Sequence, residues 1–375
     1  MDGLSIIFAV RRRTREHDLY NDEVKQWDAI IVGAGVIGLS LAREMHKRSL
    51  RVLVIERGEP GREASYAAGG MLANLGGESP AALQAFMDAS AALYPEFAHE
   101  IEDESGVSID LRAQGTIVLP GENGRQDNKV ADAAVPSDLE SCLVHLASRA
   151  QYLAERSVDP RALVKALAKA VKHREIDLVS GSPVTSIQCE QHRVTGVTTD
   201  KTSYSAPVVV NCAGAWSGDI SPQTLPTRPV KGQMLSLVAP SRDFLQHVVR
   251  TPEVYLIPRS DGRILVGATV EEKGYDKRTD AATIHTLHRA AGRVIPELDG
   301  ARMLEAWAGL RPGTPDDLPI LGATNTAGYF ISTGHYRDGI LLAPATAAAI
   351  SQLVTGARLE YDISAFSAER FPAKQ

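Results

Sequence analysis

The stretch "WDAIIVGAGVIGLSLAREMHKRSLRVLVIERG", Trp27 to Gly58, decides the fold. "AIIV" is a short β-branched apolar run and predicts a buried strand. A glycine-rich turn follows, then an amphipathic stretch of helical period, then "RVLVIE", a second apolar run. Strand, turn, helix and strand in that order make a βαβ unit with a parallel pair. Gly33, Gly35 and Gly38 fall in the G-x-G-x-x-G frame. Gly33 permits the tight turn, Gly35 lets the backbone approach a pyrophosphate, and Gly38 lets the helix pack close to the strand. The helix N-terminus then faces the phosphates with its unpaired N–H groups. Glu56 closes the second strand, where a carboxylate accepts from a ribose hydroxyl pair. Glu56 rather than an arginine at that position speaks against a phosphorylated ribose.

The whole chain, at 375 residues, is long for one domain, and two domains are expected. "DPRALVKALAKAVKHR" reads as a helix with apolar spacings of three and four, and "TDAATIHTLHRAAGRVIPEL" as a helix ending near Pro296. "SPVTSIQCEQHRVTGVTTDKTSYSAPVVVNCAG" reads as strands separated by turns. "RPVKGQMLSLVAP" and "VYLIPRSDGRILVGATV" read as antiparallel strands, the second pair turning at "SDG". Residues 121–140 are polar and weakly patterned, as in a surface connection. Residues 1–26 form an N-terminal extension: "LSIIFAV" precedes its basic run "RRRTR", the reverse of a secretory signal, and is too short to span a bilayer.

Composition narrows the function. A net charge of −6 gives no electrostatic case for nucleic acid or an anionic membrane as partner. Three widely spaced cysteines, Cys142, Cys189 and Cys212, make neither a metal-ligand spacing nor a disulfide framework, which points to a reducing, cytoplasmic setting. His285 and His288 lie three apart on a helix, but no carboxylate completes a ligand set, so no metal is expected.

Six further motifs occur in order: "GREASYAAGGML", "VVVNCAGAWSG", "PVKGQMLSL", "YLIPRSDGRILVGAT", "WAGLRPGTPDDLPILG" and "GHYRDGILLAPAT". Together with the glycine-rich unit they resemble the glycine oxidases of the D-amino-acid oxidase flavoprotein family, those associated with thiamine biosynthesis. The resemblance runs from about Trp27 to the C-terminal helix. It implies an α/β fold: a Rossmann-type FAD-binding domain from residues 27–77, 150–226 and 309–375, and a discontinuous antiparallel-sheet substrate domain, α+β in character, from 78–149 and 227–308. It also implies non-covalent FAD, a small amino-acid or amine substrate, molecular oxygen as acceptor, and a homotetramer.

Carried over by motif, Val36 and Ile37 approach the pyrophosphate through backbone groups, and Glu56 with Arg57 holds the adenosine ribose. Ala64 and Ser65 lie near the phosphates; Gly69, Gly70 and Met71 run along the isoalloxazine; Val184 meets the adenine through its main chain. His335, Tyr336, Arg337, Asp338, Gly339, Ile340 and Leu341 match the flavin-contacting run. Arg311 matches the arginine that pairs bidentately with the substrate carboxylate, a task suited to a planar guanidinium. Tyr255 matches a tyrosine that assists it, and Arg337 a second arginine at the substrate. The family pattern usually has asparagine where this chain has Asp338, and a carboxylate there opposes the anionic reduced ring, which bears on redox potential or oxygen reactivity. Other readings of the same motifs are a D-amino-acid dehydrogenase, a sarcosine-oxidase-like amine oxidase, and a flavin-binding protein without turnover.

Overall fold

The computed structural model describes residues 26–73, 80–119, 139–143, 150–222 and 224–371. The expected N-terminal extension and nearly all of the expected surface connection at 121–140 lie outside these residues.

In chain order, β1 (Ala29–Val32), α1 (Val36–Lys47) and β2 (Val52–Ile55) form the anticipated unit, followed by the short α2 (Ala64–Ala67) and β3 (Met71–Leu72). Then come α3 (Ala81–Ser105), β4 (Thr116–Val118), β5 (Gln151–Leu153), β6 (Arg156–Ser157) and α4 (Pro160–His173). Asp159 caps α4 by accepting from the N–H groups of Arg161 and Ala162, and Pro160 sits where a missing N–H costs nothing. Next are β7 (Asp177–Val179), β8 (Val184–Glu190), β9 (Arg193–Thr199), β10 (Ser203–Ser205) and β11 (Val209–Asn211). The long β12 (Arg228–Val238) precedes β13 (Val248–Arg250), β14 (Tyr255–Pro258), β15 (Arg263–Gly267) and α5 (Ala281–Val294). The chain finishes with β16 (Met303–Gly313), β17 (Ile320–Ala323), β18 (Tyr329–Thr333) and α6 (Gly339–Thr355).

Two large sheets organise these elements. One has the order β17-β18-β11-β1-β2-β7 and is parallel except for β17 at its edge. Ile31 and Val54 face a core built with α1, α3, α4 and α6, whereas Ile30, Val32, Leu53 and Ile55 face a second core shared with β8 and β9. Burial on both faces explains why β1 and β2 read as continuous apolar runs without alternation. The other sheet has the order β16-β12-β15-β14-β13-β4-β5, antiparallel apart from β13 beside β4, and α5 packs on it through Ile284, Leu287 and Ala291. No helix among the described residues is long and apolar enough to cross a membrane.

α3 lies within 78–149 yet buries Leu83, Phe86 and Tyr94 in the core with α1 and α6, because its apolar stripe has its complement there. β5 and the last residues of β16 lie in segments assigned to the cofactor domain, yet they belong to the antiparallel sheet. Pro344 is the sixth residue of α6.

Candidate active site

A cavity of about 710 Å³ runs along the carboxyl ends of β1, β11 and β18 and ends against the antiparallel sheet. Ligands in α/β folds bind at this edge.

At one end stands the glycine-rich turn. Gly33 has φ +104°, and a Cβ on it would lie 2.5 Å from the Cys212 carbonyl oxygen. A Cβ on Gly38 would lie 2.0 Å from the Gly33 carbonyl oxygen, so Gly38 works inside the helix–strand contact and does not line the cavity. Gly35 precedes α1 with no side-chain cap. The first N–H groups of the helix are therefore available to an anion, apart from that of Val36, which donates to Ser65 Oγ at 3.0 Å. Glu56 accepts from the Ala34 N–H at 2.8 Å through Oε2 and from the Gly58 N–H at 2.9 Å through Oε1, which holds the turn in place. Arg57 stacks on Trp216, with its guanidinium carbon 4.4 Å from the ring centre, and Trp216 stacks on Tyr275. Ile37, Ala64 and Val184 also line this part of the cavity. The uncapped helix end and the open glycine turn fit the pyrophosphate of a dinucleotide.

At the other end the antiparallel sheet supplies side chains. Arg311 on β16 extends across Gly232 of β12, where a Cβ would sit 2.3 Å from both terminal guanidinium nitrogens. Its Nη1 donates to the Thr269 carbonyl at 3.1 Å. Tyr255 on β14 lies over Gly267 of β15, its register partner, and its hydroxyl reaches Met234 Sδ at 3.8 Å. Burial raises the Tyr255 pKa, and the charges of Arg311 and Arg337 pull against that rise. Gly69 packs against Ile257 and Tyr255, so the segment Gly69–Met71 forms a wall of the same end.

The loop before α6 completes the site. Gly334, at φ +74°, and Tyr336, at φ +46°, turn the chain so that His335 to Ile340 line the cavity. His335 is buried, with Nε2 3.2 Å from Thr346 Oγ1, and burial pulls its pKa down to about 3, so the ring is neutral. Enclosure pushes the Asp338 carboxyl up to about 6, opposed by the neighbouring Arg337 charge. Arg337 is exposed at the rim and stacks on Tyr336. The Leu341 side chain is buried in the core beneath the loop, and Leu341 is not among the residues lining the cavity.

Sequence reasoning passed over several residues that shape this site. Gly232 and Gly267 make room for Arg311 and Tyr255, and both stood in quoted motifs, but their purpose needed the strand register. Arg250, paired in register with Tyr255, also lines the cavity, and its Nη1 lies 3.5 Å from Glu155.

With this geometry in hand, the chain belongs to the FAD-dependent oxidoreductase family typified by D-amino-acid oxidase, whose model matches residues 28–353. Within that class it is 35% identical over 359 residues to the glycine oxidase of Pseudomonas putida, covering 91% of this chain and 98% of that protein. It is 34% identical over 363 residues to the bifunctional protein ThiO/ThiG of Trichormus variabilis, covering 92% of this chain but only 55% of that longer protein. The crystal structure of glycine oxidase from Geobacillus kaustophilus superposes with a TM-score of 0.87 at 30% identity, covering 93% of this chain and all of that one.

Proposed function

We propose that this protein is an FAD-dependent oxidase of glycine and other small amines, and that its imine product serves thiazole assembly in thiamine biosynthesis. The observation that carries the reading is the Arg311 guanidinium, laid over Gly232 beside Tyr255, at the end of a cavity whose opposite end is a dinucleotide-type turn. The glycine oxidase and ThiO/ThiG relatives support the substrate and the pathway.

Non-covalent FAD, held by the glycine-rich turn and the loop of residues 335–340, would supply the two-electron chemistry: a hydride acceptor for the substrate Cα–H and, with a proton from solvent, a reductant of oxygen to hydrogen peroxide. Arg311 pairs with the carboxylate and fixes its orientation, Tyr255 donates to a carboxylate oxygen, and Arg337 adds positive charge at the rim. Neutral His335 keeps its buried place and exchanges no proton. The amine sheds its proton on binding, so positioning and electrostatics carry the catalysis. The imine hydrolyses to glyoxylate and ammonia where it is not consumed.

The same reading takes the six-stranded sheet with α1, α3, α4 and α6 as the cofactor domain, and the seven-stranded sheet with α5 as the substrate domain. It extends to a cytoplasmic homotetramer, which light scattering on the purified enzyme tests. Stoichiometric peroxide on addition of glycine, sarcosine or small D-amino acids tests the activity. Glycine-dependent dye reduction without peroxide would sink the oxidase reading in favour of a dehydrogenase.

A further inference from the structure

Arg259, the residue after β14, the strand that carries Tyr255, is among the most deeply buried large side chains of the described residues, at 2% exposure. Its Nη2 donates to the carbonyl of Gly69 at 2.5 Å. Its Nε and Nη1 are buried with no hydrogen-bond partner. Among the described residues no carboxylate lies within ion-pair distance of it. Asp159 is engaged by Arg263 at 3.0 Å and caps α4, and Asp110 is engaged by Ser260. Burial draws the guanidinium pKa down to about 10, which leaves it charged at neutral pH. A buried, unpaired cation is costly, by several kcal/mol in ordinary proteins, and calls for a compensating partner.

The geometry of Gly69 indicates where that partner lies. Gly69 and Gly70 line the cavity and Arg259 does not, so the guanidinium stands behind the wall. The Gly69–Gly70 peptide is trans, so a carbonyl drawn back toward Arg259 turns the Gly70 N–H the opposite way. That N–H has no acceptor among the described residues, whereas the Gly70 carbonyl accepts from the Val158 N–H.

We propose that Arg259 is a positioning residue for the flavin: it holds the Gly69 carbonyl back, aims the Gly70 N–H into the cavity, and sets positive charge behind the wall that favours the electron-rich, reduced cofactor. In a buried setting such a charge is little screened by salt or water. The proposal rests on the FAD reading of the cavity and not on glycine as the substrate.

The test uses the FAD-loaded enzyme and three variants, Arg259→Met, Arg259→Gln and Arg259→Lys. The readouts are the two-electron flavin potential and the affinity of the flavin for sulfite, both independent of turnover. Removing the charge in Arg259→Met and Arg259→Gln shifts the oxidised–reduced equilibrium at least tenfold toward the oxidised form, about 30 mV. Sulfite affinity falls at least tenfold in the same two variants. Arg259→Lys restores both to within threefold of the parent. Potentials within twofold of the parent in every variant that binds FAD would overturn the proposal and leave Arg259 a purely structural residue. If Arg259→Met does not fold, the Gln and Lys variants decide alone, and equal potentials in that pair overturn the proposal. A parent enzyme that binds no FAD refutes the cofactor reading itself, a different result from FAD bound at unchanged potential.

Discussion

At one end of the cavity, Gly33, Gly35 and the uncapped amides of α1 are arranged within a single βαβ unit. At the other end, Tyr255 and Arg311 reach the cavity from two strands separated by 56 positions in the chain, and Arg337 joins them from the loop before α6. The first end works through backbone groups, so its residues matter chiefly for what they lack. The second works through long side chains, and Arg311 and Tyr255 are each given space by a glycine on the neighbouring strand. Cofactor binding and substrate binding therefore draw on different physical resources, and single substitutions separate them.

The largest expected effect is at the side-chain end. On the proposed reading, Arg311→Ala removes a charge-assisted, bidentate partner of the substrate, and kcat/KM for glycine falls by at least about 10³-fold. The FAD dissociation constant stays within about threefold, since Arg311 does not touch the glycine-rich turn. Steady-state peroxide kinetics and a fluorescence titration of FAD check both halves.

The reciprocal experiment is Gly38→Ala. Alanine is the better helix former by about 1 kcal/mol, but its methyl group would sit 2.0 Å from the Gly33 carbonyl oxygen. The clash is with backbone and wins over the propensity, so FAD affinity falls by about 100-fold as the turn is displaced. Retained FAD affinity in this variant would break the contrast between the two ends.

Gly232→Ala sharpens the contrast by acting on Arg311 without altering its chemistry. The added methyl meets both terminal guanidinium nitrogens at 2.3 Å. Because the far end of a flexible side chain can yield, the displacement raises KM for glycine by about 10-fold, with FAD titration unchanged.

The smallest expected effect comes from Asp338→Asn, read in the apoprotein by thermal unfolding. The folded carboxyl titrates at about 6, above its ordinary value of 3.8, because enclosure disfavours the charged form. The stability tied to the protonated acid is therefore present at pH 4 and is lost as pH rises through 6. The Asn variant melts about 2 °C higher than the parent at pH 8, and the gap closes at pH 4. A gap that stays constant with pH would show that Asp338 keeps an ordinary pKa.

Much of the fold was legible along the chain. β1, α1 and β2 fall where the apolar runs and glycines put them, and α4 and α5 begin and end at their Asp, Pro and basic signals. The strands of "VYLIPRSDGRILVGATV" turn at the expected residues. The core partner of α3 was not legible, because an amphipathic helix declares an apolar stripe without naming the surface that covers it. Leu341 was carried over by motif alone, which says nothing of its side chain's burial in the core beneath the loop. Arg259 sat unremarked in a quoted motif, since nothing in "YLIPRSDG" reveals that its charge is buried against Gly69.

By itself the sequence determined the dinucleotide turn and the identities of Arg311, Tyr255 and Arg337 as chemical groups. The turn is local: glycine spacing, strand length and helix period operate within some thirty consecutive residues and need no distant partner. Only the tertiary structure decided which glycines make room for which side chains, which arginine is buried behind the cavity wall, and how enclosed Asp338 becomes. Those properties depend on strand register and on burial, which arise only when segments far apart in the chain are packed together.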